Sequence, residues 1–229
     1  MKTTTMTLAL CSAFAIAALP ASGAMAQSEP QPVTAAHVAA RVQSFYDQTR
    51  TIRTAFTQRH YDRTYQRTTR SRGVLTIARP GKLRFDYLGG DGKVVVSDGR
   101  ELTVYEPGDD GGPGQYARST MREDASSALG FLTGQARLDR DFRFRLVDAA
   151  RFPLGRPRPR ADAPPAGAGY RRAYLFVDSS AGASGVVRRV IIQDHAGNVN
   201  QLDFARMQFN REVSASRFRF VPPRGARRI

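Results

Sequence analysis

Residues Lys82-Leu83-Arg84-Phe85-Asp86-Tyr87 and, after a short break, Val94-Val95-Val96-Ser97-Asp98-Gly99-Arg100-Glu101-Leu102-Thr103-Val104 decide how this chain reads. In the first stretch apolar Leu83, Phe85 and Tyr87 alternate with polar Lys82, Arg84 and Asp86. That period of two puts the apolar set on one face of a β-strand. In the second, Asp98-Gly99 stands between two apolar runs. Asp-Gly in that setting is the strongest short hairpin signal a sequence offers, so 93–97 and 101–106 are read as antiparallel neighbours. Gly89-Gly90-Asp91-Gly92 is a turn of the same kind one step upstream.

The same texture continues outward. Val74–Ala78 stops at Pro80-Gly81, and residues 52–70, rich in Thr, Tyr and Arg, read as long amphipathic strands with a turn near Asp62-Arg63. Downstream, Phe142–Val147 alternates again, and strands are expected at about 170–178, 186–194, 199–208 and 216–221. Pro222-Pro223 ends the last of these. Two stretches are helical instead. Thr34 is an N-cap for a helix over 34–50, with Val38, Val42 and Phe45 on its apolar face and Arg41, Gln43 and Asp47 elsewhere. Residues 121–138 form a short, weak helix that clusters Ala128, Leu129, Phe131 and Leu132 but is interrupted by Gly130 and Gly134. Residues 107–114 are loop, and 153–169 form a loop of Pro, Gly, Ala and Arg.

Roughly ten strands joined by short turns, with no alternating helices, indicate a mainly β chain with an antiparallel sheet. A sheet this wide must curl into a barrel or half-barrel. The N-terminal helix either packs on that sheet or covers its opening. The apolar face carries Leu75, Ile77, Leu83, Phe85, Tyr87, Leu102, Val104, Leu202 and Phe204, together with Phe218 and Phe220. Such a face is either a filled core or the lining of a ligand cavity.

Residues 1–26 read as a secretory signal peptide. Lys2 supplies the positive start, Leu8–Ala21 the apolar run, and Ala24-Met25-Ala26 the cleavage site before Gln27. The only cysteine, Cys11, lies within this segment and follows Leu10, so neither a lipidated N-terminus nor a disulfide is expected. Residues 27–229 then make one domain, large enough for its own core. The 35 basic and 20 acidic residues give a net charge of +15, which loss of Lys2 lowers by one. That charge attracts anionic headgroups or other polyanions without specifying a fold. Lysine occurs only at positions 2, 82 and 93, and every other basic residue is arginine, spread along the chain. The three histidines, His37, His60 and His195, lack metal-ligand spacing. No nucleophile elbow, phosphate loop or mature cysteine supports catalysis, so a binding protein without cofactor or metal is expected. A specific nucleic-acid platform is disfavoured, because aromatic and Arg residues alternate and should point to opposite faces.

The segment Arg72–Tyr87 (RGVLTIARPGKLRFDY), followed by Val94–Pro107 (VVVSDGRELTVYEP), resembles the signature of the periplasmic outer-membrane lipoprotein carriers, the LolA-like proteins. Phe45–Gln58, ending in AFTQ, Ala128–Leu138 (ALGFLTGQARL) and Phe218–Gly225 (FRFVPPRG) are similar in the same order. The resemblance spans residues 34–225. It implies an incomplete antiparallel β-barrel whose apolar inner surface is covered by an N-terminal helix and a short lid helix. It further implies a monomeric periplasmic carrier of lipoprotein acyl chains. Such a carrier is loaded by an inner-membrane ABC lipoprotein-releasing complex, unloads to an outer-membrane acceptor, and touches membrane surfaces only transiently. Arg79 matches the family arginine that hydrogen-bonds to the lid and gates it, and Phe131 and Leu132 match apolar residues of the lid. Thr103 stands where many members have Trp, and the loop at 153–169 is longer and more basic than the family's. Two alternatives share the fold, a lipid-sensing regulatory module and a carrier of another lipid. A third, a basic polyanion-binding protein, needs no cavity.

Overall fold

The computed structural model describes residues 34–89, 92–120, 130–147, 170–178, 180, 182 and 185–229. The expectations for the leader at 1–26, for residues 121–129 and for the loop at 153–169 lie outside these residues. Helix α1 spans Ala35–Asp47, and the Thr34 hydroxyl accepts a hydrogen bond from His37 N at 3.1 Å, as its N-cap role requires. Ten strands follow: β1 (Thr51–Asp62), β2 (Arg67–Ala78), β3 (Lys82–Leu88), β4 (Val94–Asp98), β5 (Glu101–Glu106), β6 (Gln115–Thr120), β7 (Arg172–Val177), β8 (Val187–Gln193), β9 (Val199–Phe209) and β10 (Arg227–Arg228). Between β6 and β7 the described residues form two one-turn helices, α2 (Gly130–Thr133) and α3 (Leu138–Asp141).

The strands form one sheet in the order β10-β6-β5-β4-β3-β2-β1-β9-β8-β7. Every pairing is antiparallel except the two-residue β10–β6 contact. The sheet ends in two unjoined edges, β7 and β10, so it is an open, incomplete barrel. Its curl is evident in the core. Leu175 and Val190 near one edge belong to the same buried cluster as Phe85 on β3, with α1, α2 and α3 inside the curve. A bulge at the β1–β9 pairing adds bend, since the register slips between Arg53 and Ala55 and Arg206 opposite takes φ +53°.

Gly73 lets a neighbouring aromatic ring lie close over β2. A Cβ there would lie 2.1 Å from the Asp86 carbonyl oxygen and 2.7 Å from the Phe56 ring. The bare backbone leaves that space to Phe56, which meets Phe85 and Tyr87 edge-on at 5.2 and 5.1 Å between ring centres. Gly73→Val is therefore expected to lower unfolding free energy by at least about 2 kcal/mol, a value read from a urea melt.

Several expectations are corrected by the strand map. Residues 67–78 are one continuous twelve-residue strand rather than a separate short one at 74–78. Strand β6 was not expected. Phe142–Val147 joins no strand; Phe142 and Phe144 stack at 6.0 Å and pack against the core instead. Of the weak helix expected over 121–138, the described residues show α2 at Gly130–Thr133 and the first residue of α3 at Leu138. The strand at 216–221 is absent: Ala215–Phe218 is a 3-10 turn, and the tail runs back over the convex side of the sheet. Phe218 is buried there and lines a small cleft with Val96 and Thr103, while Phe220 lies 5.3 Å from the Tyr105 ring. Arg217 fixes the tail by donating to Asp86, which Arg84 also holds. Phe218 and Phe220 thus cover the outside of the sheet and do not join its inner face.

Candidate functional site

Strand register collects the expected apolar set on one surface. Leu75 pairs with Phe85 and Ile77 with Leu83 across β2 and β3, and Phe204 and Leu202 on β9 pair with Phe56 and Gln58 of β1. The same face continues through Val95 to Val104 and through Ser97 to Leu102. Leu75, Ile77, Phe85, Leu202 and Phe204 are buried in the core cluster, with Leu83 and Tyr87 half-buried against it. Leu102 and Val104 share the face two strands further out, half-exposed and outside the cluster.

The helices cover this concave face. Phe131 and Leu132 of α2 are each only 2% exposed. Phe131 meets Tyr46 of α1 edge-on at 5.5 Å. Helices of four residues have no stability of their own, and among the described residues α2 and α3 are held by this packing and a few tethers. The Gly81 N–H donates to the Thr133 carbonyl at 2.8 Å, and the buried Gln43 side chain accepts from Leu138 N at 2.8 Å while donating to Asp47 at 2.7 Å. The sequence pattern pointed Gln43 away from the core; the structure buries it because it caps α3. Tyr46 was also missed. It is 1% exposed, and its hydroxyl accepts from Val187 N at 3.3 Å. Burial pushes its phenol well above the usual tyrosine range. The inward stripe runs Val38, Val42, Tyr46, and Phe45 stands beside it against Phe209. Gln43→Leu would leave the Leu138 N–H buried without an acceptor, costing about 1–3 kcal/mol locally. Faster amide exchange across Leu138–Asp141 is the expected readout.

Arg79 closes the rim where β2 ends. Its side chain is 13% exposed and lies 4.0 Å from Asp47 of α1; Arg137 approaches the same carboxylate at 3.6 Å. The guanidinium is laid against Gly134, just past α2. A Cβ on Gly134 would come within 2.7 Å of Arg79 Nε, and that residue's φ of +78° favours glycine as well. Burial lowers the guanidinium's pKa, and the Asp47 carboxylate opposes that shift. Arg79 thus touches both the N-terminal helix and the segment that follows α2.

Toward the far end of the same face the lining turns polar. A cavity of about 520 Å³ opens among Gln58, His60, Ser71, Tyr87, Lys93 and Glu106. Tyr87 donates to Gln58 at 2.8 Å, and Lys93 pairs with Glu106 at 2.8 Å, which holds that carboxyl below its ordinary range. Among the described residues no three His, Cys, Asp or Glu side chains converge as a metal site. The arrangement is an apolar concavity with a thin helical cover and a polar mouth. Burial of this face removes its apolar side chains from water.

The family model for the outer membrane lipoprotein carrier protein LolA matches residues 47–153. An outer-membrane lipoprotein carrier protein of Dechloromonas aromatica is 27% identical over 192 residues, 81% of this chain and 84% of the relative. One from Alkalilimnicola ehrlichii is 26% identical over 197 residues, covering 85% and 86%. Among solved structures, a LolA superfamily protein from Nitrosomonas europaea aligns over 82% of this chain and 98% of its own, with a TM-score of 0.47 and 14% identity.

Proposed function

We propose, from its likeness to the LolA family model and to curated lipoprotein carriers, that this chain is a carrier rather than an enzyme and ferries lipoproteins through the periplasm by their acyl chains. In this reading an inner-membrane ABC lipoprotein-releasing complex loads the concave face, an outer-membrane acceptor empties it, and the carrier works as a monomer. Leu75, Ile77, Leu83, Phe85, Tyr87, Leu202 and Phe204 take the chain, with Leu102 and Val104 extending the track outward. Arg79, Phe131 and Leu132 gate it.

The observation that carries this reading is the thin cover over a wide apolar face. Releasing Phe131 and Leu132 to water forfeits on the order of 3–6 kcal/mol. One acyl chain of about 16 carbons gains on the order of 12 kcal/mol by burial at about 0.8 kcal/mol per methylene. A bound chain therefore offsets displacement of α2 with free energy to spare, and it shifts the population toward the open form because it binds only there. The test is native mass spectrometry of the protein gently purified from periplasm. A fraction carrying the mass of a lipoprotein or its acylated fragment is the expected result; an unliganded protein from cells rich in lipoproteins would contradict the reading.

A further inference from the structure

The end of the β1–β2 hairpin exposes large side chains that no part of the described chain covers. Tyr65 at the turn is 80% exposed, Tyr61 37%, and Leu88, opposite Arg72 further along β2, 53%. Register sets Arg59 directly opposite Arg70, and Arg72 opposite Leu88, all on the convex face with Tyr61. Like charges directly opposite each other destabilise a sheet, and among the described residues no carboxylate pairs with these three. The ion pairs of the described residues use other arginines, such as Arg84, Arg118, Arg188, Arg189 and Arg217. Arg59 donates to the neutral Gln201 side chain. Aromatic and cationic groups therefore share this face, against the expectation from alternation.

We propose that this hairpin end docks on an anionic lipid surface. Arginines near a membrane draw on its negative potential, and tyrosine and leucine beside them suit the headgroup boundary, where aromatic side chains settle. A turn of four residues is too small for a stable protein interface, which buries about 1,200–2,000 Å² in all. The same two strands supply His60 and Ser71 to the polar cavity on the concave side, so docking there brings the mouth of the concavity to the bilayer. The inference adds a membrane-facing end to the carrier reading, but its test needs no cargo, so either can fail alone.

The experiment is co-sedimentation of the purified protein with vesicles of phosphatidylglycerol and phosphatidylethanolamine, against vesicles of phosphatidylcholine. Binding to the anionic vesicles alone, weakening with added salt, is expected. The triple variant Arg59→Gln, Arg70→Gln, Arg72→Gln should bind on the order of a hundredfold more weakly. The charge-matched triple Arg224→Gln, Arg227→Gln, Arg228→Gln should bind like the parent. The chain has no tryptophan, so Tyr65→Trp installs a single reporter at the tip. The indole emission of that variant should shift to the blue on anionic vesicles. Equal losses in the two triples, an indole emission that vesicles leave unmoved, or no preference for anionic vesicles would each overturn the proposal.

Discussion

Phe85→Ala is expected to cost about 3–5 kcal/mol of unfolding free energy, the range for a buried aromatic cut to a methyl group. The ring is only 7% exposed, faces Leu75 across the strand pair, and makes aromatic contacts with Phe56 and Tyr87 at 5.2 and 6.3 Å. A urea melt reads the stability. Binding of a fluorescent fatty acid, measured where the variant is still folded, reads the site. The probe should bind more weakly as well, because the deleted ring is part of the surface that would receive the chain. Leu132→Asp separates the two effects. It places a charge on the removable cover rather than on the sheet, so it should weaken closure more than global stability. Probe binding left unchanged in both variants would contradict the assignment of this face.

Arg79→Leu is expected to keep the fold and to change lipoprotein release by roughly tenfold, within the 1–3 kcal/mol typical of coupling between elements. The ion pair it removes is long, at 4.0 Å, and Arg137 still reaches Asp47, so little stability rests on it. What is lost is a planar cation lying at once against Gly134 and beside α1. No flexible apolar side chain reproduces that contact. Stopped-flow release of a labelled lipoprotein from the preformed complex measures the change. Kinetics identical to the parent would remove Arg79 from the gate.

The inner face was legible because it obeys one rule over several strands. Leu83, Phe85 and Tyr87 alternate, Leu75 and Ile77 alternate, and Asp98-Gly99 fixes which strands are neighbours. The outer face was not legible, because its burial comes from a distant segment. Val94, Val95 and Val96 read as an apolar run without a preferred side. The reason emerges only in three dimensions: Val95 faces the concave side while Val96 lies under Phe218 of the tail. Strand β6, with the composition QYARST, has only Tyr116 and Ala117 to mark it and owes its place to pairing with β5. Gln43 shows the limit most clearly. A polar residue on a helix reads as solvent-facing, yet a buried one is stable when a remote backbone N–H, here that of Leu138, needs its oxygen.

Carriage of lipoproteins is tested by a transfer assay. The purified protein is added to spheroplasts or to inner-membrane vesicles holding the release complex, and then to outer-membrane fragments. A soluble one-to-one complex with a lipoprotein, whose cargo later moves to the outer membrane, is expected, with the Arg79→Leu protein altered in the second step. A protein that leaves every lipoprotein in the inner membrane, while still binding vesicles through its hairpin end, would contradict carriage.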